Sequence, residues 1–516
     1  MKKIKAAVIA SAMAVMTICS GPAVADGYQP PTNNWLADSA WPISHQGPYA
    51  QGSSSLPGPE SSWGLRAADF SGTSITNITL AMSPYYPDGQ QVYWGSTLGY
   101  VYKLRANTSG LTKIDQMKKG AGISLENLKT MTSGAYTFVD YDNNFYTVSG
   151  ASVLVYGDSI AGDASSPIAL LREYTIPQDQ LHGTSSEDPI VGMNLSYDGM
   201  VAFATKRGTV GVVDRHFTQA HYVQLGDATG EEVSNSIALD EDGGIYVVSA
   251  KQMYRVQWTG SELTLNEAQG GWQSGYEIGE GVSAAGRLGA GSGSTPSLMG
   301  SGDMDKFVVI TDGQELANIV LFWRDEIPSD WQPIAEGKSR RIAAEIPVTY
   351  GDAKRKVSIS EQSVLVRGYG AAVVSNDYRN IDLISGASTG NAIIDTLRNG
   401  IVVFLSNLRL IQPYGVQKFE WDPVARKLDT AWVNKEISCP NGIPTMSAES
   451  QLMYCVGARS RAWTIEGIRW DNGASKFHKR IGLLPRFNSF YAATQIGNNR
   501  TMVSGTTFGV MELDPR

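Results

Sequence analysis

Short runs of alternating apolar and polar residues recur from about residue 79 to the end of the chain. Each run ends at a turn that contains an acidic or amide residue. A second run, of β-branched and aromatic residues, follows the turn, as in QQVYWGS after Asp88-Gly89 and GIYVVSA after Asp242-Gly243. Period-two alternation predicts strands, and such turns supply the positive φ that tight hairpins need. Further turns of this kind lie at Asp142-Asn143, Asp198-Gly199, Asp303, Glu449 and Asn498, with a degenerate copy at Gly368-Tyr369-Gly370.

Two more predicted strands follow each turn, and Trp421-Asp422 and Trp470-Asp471 occupy equivalent places in two of the later copies. Four strands per repeat of roughly 40–60 residues are typical of β-propeller blades. We therefore predict an all-β fold, with a single propeller of four-stranded antiparallel blades over residues 63–516. The turns favour eight blades. A count of seven stays open, because the long stretch 358–435 has room for one blade with an insertion.

The two ends of the predicted propeller are expected to meet. The last copy stops at Arg516 with enough residues for its inner strands only. A segment near 63–70 is predicted to add the missing outer strand, which would cover an open sheet edge and close the ring.

The first residues predict export. Three lysines precede an apolar stretch over 6–18, and Ala23-Val24-Ala25 supplies small residues for cleavage, so residues 1–25 are typical of a secretory signal peptide. The product is expected in the periplasm or outside the cell. Residues 26–62, rich in Pro, Gly, Ser and Gln, are predicted to form an extended arm. No later segment approaches the ~20 apolar residues of a membrane span.

The cysteine content and the net charge bear on the disulfide bonding and on the binding partners of the protein. Apart from Cys19 in the signal peptide, the chain has Cys439 and Cys455. In an oxidising compartment such a pair is more often bridged than free, with two buried thiols as the alternative. The net charge is −8 and no basic tract is present, which argues against nucleic acid as a partner and leaves a small molecule as the expected one.

Candidate chemistry lies just before the first strand and just after the second strand of each blade, because these positions face one mouth of the channel. Amide, carboxylate and hydroxyl side chains recur there. Such oxygens suit a small ligand or a hard cation such as calcium, and capping of loop backbones is the structural alternative. The candidates are Asn77, Glu187, Asp188, Asn235, Thr295, Asp312, Asn376, Asp377, Asn441 and Asn488.

Two blade openings, SNSIALDEDGGIYVVS and PNGIPTMSAESQLMYC, resemble those of the gluconolactonase, paraoxonase and strictosidine-synthase-like propellers. The resemblance implies a calcium ion at the channel mouth, with Asn235 and Asn441 as matching amides and Asp312 and Glu280 as the remaining ligands. It also implies a lactonase-like hydrolase in which the cation polarises a carbonyl. His45 and His182 are the candidate general bases.

Two alternatives remain open. The chain is also similar to exported quinoprotein propellers, whose eight blades hold pyrroloquinoline quinone. That cofactor is disfavoured, because no adjacent cysteine pair is present and a docking tryptophan does not recur regularly. The other alternative is a non-catalytic propeller that binds a protein or a glycan, since the fold alone does not choose between these functions.

Overall fold

A computed structural model describes residues 28–71, 78–107, 110–119, 136–227, 230–279, 291–381 and 400–515. These residues form eight sheets, each with a core of four strands, which confirms the eight-bladed propeller. Two strands precede the repeats, β1 (Ser53–Ser54) and β2 (Leu65–Ser71). The first four blades comprise β3 (Thr79–Met82), β4 (Val92–Ser96), β5 (Tyr100–Asn107) and β6 (Gly110–Lys118); β7 (Phe138–Val139), β8 (Phe145–Ser149), β9 (Ser152–Asp158) and β10 (Ile168–Thr175); β11 (Ile190–Leu195), β12 (Met200–Thr205), β13 (Thr209–Asp214) and β14 (Ala220–Gln224); and β15 (Ala238–Leu239), β16 (Gly244–Val248), β17 (Gln252–Trp258), β18 (Leu263–Thr264) and β19 (Trp272–Gly275).

Blades 5 to 8 complete the ring. They comprise β20 (Ser297–Met299), β21 (Phe307–Thr311), β22 (Asn318–Trp323) and β23 (Ile342–Pro347); β24 (Leu365–Arg367), β25 (Gly370–Val374), β26 (Val416–Asp422) and β27 (Lys427–Asn434); β28 (Thr445–Ser447), β29 (Leu452–Arg459), β30 (Ala462–Arg469) and β31 (Ser475–Gly482); and β32 (Thr494–Ile496), β33 (Met502–Thr506) and β34 (Gly509–Pro515), with β2 as the outer strand of blade 8.

All eight predicted turns connect the first and second strands of their blades. In blade 2 the buried carboxylate of Asp140 accepts hydrogen bonds from the backbone N–H groups of Asp142 and Asn144 and from the hydroxyl of Tyr146. Asp240 in blade 4 makes the corresponding bonds to its own turn and to a tyrosine. In both blades, a buried aspartate that lies two residues before the predicted turn residue, Asp142 or Asp242, therefore fixes the turn.

The stretch 358–435 contributes one blade, blade 6, in which residues 375–415 are inserted between β25 and β26. The insertion that was predicted as an alternative for this stretch is therefore present. The alternative prediction of seven blades is wrong. This blade is one of eight, because the degenerate turn at Gly368 is a true hairpin between β24 and β25.

The ring closes through the N-terminal strand, as predicted. β2 pairs antiparallel with β34 from Leu65 opposite Pro515 to Ser71 opposite Gly509. The first residue of the predicted segment, Trp63, precedes the strand and is 89% exposed. Because β2 pairs with β34, the third strand of blade 8 is not an open sheet edge.

The arm lies inside the channel, along the inner strands of the blades. Backbone N–H groups of six inner strands donate to carbonyl groups of the arm at 2.8–3.1 Å. The bonds, in the order of the arm carbonyls, are Met82 to Trp41, Val139 to Pro42, Leu239 to Pro48, Leu298 to Tyr49, Val366 to Gln51 and Met446 to Gly52. Innermost strands otherwise present unpaired backbone groups, so the arm completes the propeller as a central backbone plug.

Neighbouring blades pack through buried aromatic and aliphatic side chains. Trp94 of blade 1 stacks on Phe145 of blade 2 with ring centroids 5.6 Å apart, and Trp421 of blade 6 contacts Phe307 of blade 5 at 4.7 Å. The indole N–H of Trp421 also donates to the carboxylate of Asp305. Among the helices of the described ranges, none is both long and apolar enough to cross a bilayer.

Candidate functional site on the channel axis

The two mouths of the channel differ. We call the side that carries the turns between first and second strands the turn face, and the side where the inner strands begin the loop face. The insertion of blade 6 lies on the loop face. The side-chain amides of Asn441 and Asn488 both donate to the carbonyl of Val403, at 3.2 and 2.8 Å. Blades 7 and 8 thus hold a segment supplied by blade 6.

A small apolar cluster fixes the inserted segment. Its buried members are Tyr378, Val402, Val403 and Ile411. Asn407 adds hydrogen bonds from its amide to the carbonyls of Arg461 and Leu483. The described parts of the insertion, 375–381 and 400–415, therefore pack on blades 6 to 8 at the loop face, and we call them the cover.

Next to this cover, polar side chains surround the connection between blades 6 and 7. The amide of Asn376 donates to the carbonyl of Pro440 at 2.6 Å and accepts from the backbone N–H of Glu361 at 2.7 Å. The hydroxyl of Tyr378 donates to the same carbonyl of Pro440, and Gln362 donates to the carbonyl of Cys439. All of these side chains are buried.

Several buried polar atoms near the axis have no hydrogen-bond partner among the described residues. They belong to side chains of the arm and of four blades, at or just before the start of an inner strand. Leaving such atoms unpaired costs about 1–3 kcal/mol each, so they mark a place where a polar partner is expected. We call this group the axial polar site: Nε2 of His45, Oγ1 of Thr137, Oε1 of Gln362, Oδ1 of Asn441, Oγ1 of Thr494 and Oε1 of Gln495.

His45 lies in the arm and is buried, with its ring 5.7 Å from the ring of Tyr136. Burial lowers the pKa of the His45 imidazole to about 4, so the ring is neutral at pH 7. Burial also raises the pKa of the Tyr136 phenol, whose oxygen lies 3.4 Å from the hydroxyl of Thr295. Tyr136 precedes blade 2 and Thr295 precedes blade 5, so this contact crosses the channel. His45 thus belongs to the candidate site, and its role as a base stays a prediction.

Some predicted residues lie elsewhere and bind their own loops. Asp188 is buried and accepts from the backbone N–H groups of His182 and Arg207. The ring of His182 contacts the amide of Gln224 at 2.9 Å. Glu187 caps its turn by accepting from Thr184. These contacts are the capping role that the sequence left as the alternative for this set.

The predicted calcium ligands also have protein partners. Asn235 donates to the carbonyl of Ser292 at 2.8 Å, and Asn441 uses its nitrogen on Val403. Asp312 accepts from Asn318, and burial raises the pKa of its carboxyl to about 6. Asp377, predicted at the mouth, pairs with Arg355 at 2.6 Å. The predicted residues Asn77 and Glu280 lie outside the described residues.

Within the described ranges, no three His, Cys, Asp or Glu side chains come close enough to hold a metal ion. The carboxylate-rich set that calcium favours is therefore not assembled by these residues. The amide oxygens of Asn441 and Gln362 have no partner among the described residues, and calcium binding stays a prediction.

Sequence reasoning missed Tyr136, Gln362 and Lys119. The Lys119 ammonium is buried and donates to Ser96, Thr97 and Thr147 at 2.9–3.1 Å. Burial lowers its pKa to about 7. Tyr136 and Gln362 both lie just before inner strands, where the sequence predicts functional residues. Neither is one of the asparagines that recur at these positions.

The predicted disulfide is confirmed. Cys439, in the connection to blade 7, is bonded to Cys455 in β29, and both residues are buried. The bond ties the segment that carries Asn441 to the second strand of its blade. The predicted signal peptide lies outside the described residues and stays a prediction.

Comparisons with solved structures agree with the fold. Quinohemoprotein alcohol dehydrogenase ADHIIG from Pseudomonas putida HK5 matches with a TM-score of 0.53 at 12% identity, over 92% of this chain and 80% of that chain. A europium-containing methanol dehydrogenase matches with a TM-score of 0.53 at 10% identity, over 92% of this chain and 90% of that chain. The periplasmic gluconolactonase PpgL of Pseudomonas aeruginosa has a TM-score of only 0.41 at 13% identity, over 80% of this chain and 97% of that chain. The dehydrogenase matches support the propeller fold alone.

No protein-family model matches the sequence. An uncharacterized protein from Archaeoglobus fulgidus is 42% identical over 491 residues, which cover 94% of this chain and 89% of that protein. The chain therefore belongs to the same family as this uncharacterized Archaeoglobus protein.

Proposed function

We propose that the protein is an exported propeller that binds a small, uncharged molecule bearing hydroxyl or amide N–H groups at the axial polar site. The observation that carries the proposal is the group of buried, unpartnered polar atoms on His45, Gln362, Asn441 and Gln495. Three of these are amide oxygens, which accept hydrogen bonds and attract a ligand that donates them.

The charge at the site favours a neutral ligand. His45 is neutral at physiological pH because burial lowers its pKa to about 4. The remaining members of the site are amides and hydroxyls. A small molecule with several donors would pair these atoms and recover much of their desolvation cost, which supports binding between the arm and the cover.

Export is part of the proposal. The N-terminal pattern of lysines, apolar residues and small residues supports it, and so does the buried disulfide between Cys439 and Cys455, since such bonds persist in oxidising compartments. Detection of a mature chain that begins at Asp26 in the exported fraction would test this part. A chain that keeps residues 1–25 and stays in the cytoplasm would contradict it.

Identification of a co-purified ligand tests the binding proposal. The protein is purified without denaturant, its mass is measured under native conditions, and small molecules released by acid are identified. We expect one bound molecule in the wild type and its loss in Gln362→Leu, because leucine leaves no acceptor at that position. Asn434→Leu is the matched control for loss of an amide, since the side chain of Asn434 bonds to Gly473 of blade 7 and to the backbone of residues 436 and 437, and is not part of the axial polar site.

Two results would contradict the proposal. One is a ligand that both variants retain equally. The other is a wild type that releases no molecule and whose melting temperature is not raised by any compound in a panel of neutral polyols, amides and lactones.

The calcium-assisted lactonase hypothesis is tested alongside. A rise in melting temperature with calcium that chelator reverses, together with hydrolysis of gluconolactone, would support it, and Asn441→Leu should then abolish both. Absence of the shift removes calcium and leaves the binding proposal standing, because the two have separate measurements.

A further inference from the structure

A second concave site lies on the turn face, on the side of the ring opposite to the cover. It is a cleft of about 390 Å³ between blades 1 and 2, within the size range of small-molecule sites. Its walls come from the first turn of each of these blades, from the end of β9 and from the loop that follows. The lining residues used below are Tyr85, Tyr141, Asp142, Asn143 and Asp158.

Two tyrosine rings are exposed in this cleft, Tyr85 by 54% and Tyr141 by 49%. Both are held in place. The hydroxyl of Tyr85 accepts from the amide of Asn498 in blade 8 at 2.9 Å. The hydroxyl of Tyr141 accepts from Arg215, whose guanidinium also lies 4.6 Å from the centre of the ring. Exposed aromatic rings fixed from behind form a binding surface that loses little entropy when a ligand binds.

Polar groups lie between the rings and are also fixed. The nitrogen of Asn143 donates to the hydroxyl of Tyr86 at 2.7 Å, and that hydroxyl donates to Asp158. The amide oxygen of Asn143 is buried without a partner among the described residues. Asn143 adopts φ of 61°, a conformation that asparagine tolerates better than most residues. The side chain of Asn143 is thus fixed in the wall of the cleft, with its amide nitrogen on Tyr86 and its oxygen buried behind the surface.

The charges in the cleft are balanced. The carboxylate of Asp158 pairs with Lys103 at 2.6 Å, and that of Asp142 pairs with Arg215 at 3.3 Å. Neither acid therefore carries an uncompensated charge, so the ion pairs select neither a cation nor an anion. Apolar ring faces beside an ion-paired carboxylate match a ligand that has apolar C–H faces and hydroxyl groups at its edges.

We infer that this cleft binds a neutral sugar unit, with its ring stacked on Tyr85 or Tyr141 and its hydroxyl groups donating to the half-exposed carboxylate of Asp142. The site is independent of the axial polar site, since it lies on the other face and shares no residue with it. The sugar unit comes either from a free oligosaccharide or from a polysaccharide chain.

The test combines two measurements on the full mature protein. Calorimetry with maltose, cellobiose and lactose tests free sugars, and electrophoresis through gels that contain soluble glucan, xylan or galactomannan tests polymers. We expect binding to at least one of these probes. Tyr85→Ala should weaken it by at least about tenfold through loss of the stacking surface, and Tyr141→Leu should weaken it similarly.

Trp63→Ala is the matched control, because Trp63 is an exposed aromatic residue outside the cleft, and its loss should leave sugar binding unchanged. Equal melting temperatures of wild type and Tyr85→Ala would show that the variant is folded. The inference is overturned if no probe binds, if binding survives both tyrosine substitutions, or if the cleft instead binds tetramethylammonium, which would assign it to cations.

Discussion

The two ends of the channel are closed in different ways. Toward the turn face, the arm accepts hydrogen bonds from the backbone of six inner strands, from Met82 to Met446, so closure rests on main-chain groups. On the loop face, the inserted segment is held by side chains, chiefly the amides of Asn441 and Asn488 on Val403. The unpartnered blade residues of the axial polar site lie at the starts of inner strands, on this face.

This contrast separates stability from function. A main-chain plug tolerates many side chains, because its bonds are made by groups that every residue has. A cover held by a few amides depends on those residues and leaves polar atoms for a ligand. We therefore expect changes in the arm to act on the whole fold and changes at the loop face to act locally.

Removal of the arm should have the largest effect. Deletion of residues 28–62, with β2 retained, strips six inner strands of their acceptors and exposes the contacts of buried Trp41 and Tyr49. We expect loss of the cooperative thermal transition and aggregation, measured by circular dichroism and light scattering. Addition of the arm as a separate peptide should restore part of the transition. A truncated protein that melts within a few degrees of the wild type would show that the arm does not stabilise the ring.

Lys119, at the loop face, should produce a pH-dependent effect. Its pKa falls from 10.5 to about 7 on folding, so between these values the unfolded chain holds a proton that the folded chain lacks. Stability contributed by this residue therefore rises with pH from 7 to 10 and is lowest below 7, with a change on the order of 4 kcal/mol.

Lys119→Met should flatten this dependence in denaturant unfolding measured at several pH values. Lys427→Met, at an exposed lysine, is the control and should keep the wild-type slope. An unchanged slope in Lys119→Met would assign the pH dependence to other groups.

The disulfide should have a smaller and local effect. Its loop of 16 residues corresponds to about 3 kcal/mol of stabilisation. Replacement of both Cys439 and Cys455 by alanine should lower the free energy of unfolding by this order, while the inner strands stay paired with the arm. Reductant should destabilise the wild type and leave the double variant unchanged, and an effect of reductant on both would contradict this assignment.

Asn488→Ala should have the smallest effect. It removes one donor to the carbonyl of Val403, worth about 1 kcal/mol. We expect faster proteolytic cleavage within residues 400–412 and an unchanged rate in the arm. Asn266→Ala, at an exposed turn of blade 4, is the control. Equal cleavage rates in wild type and Asn488→Ala would show that this amide does not hold the cover.

Much of the fold follows from local pattern. The eight turns and their flanking strands were predictable because hairpins form between neighbouring residues, and the N-terminal outer strand followed from the short last repeat. The axial positions of Asn376, Asn441 and Asn488 were also predictable. Their contacts were not, because Asn441 and Asn488 bind Val403 across 38 and 85 residues.

The sequence by itself determined the blade repeat, the ring closure and the cysteine pair, since each depends on periodicity or on residue type. Only the tertiary structure decided that the arm fills the channel, because its bonds use backbone groups that leave no sequence signal. It also decided which polar atoms stay unpaired near the axis, and that Tyr85 and Tyr141, from two different blades, face one cleft.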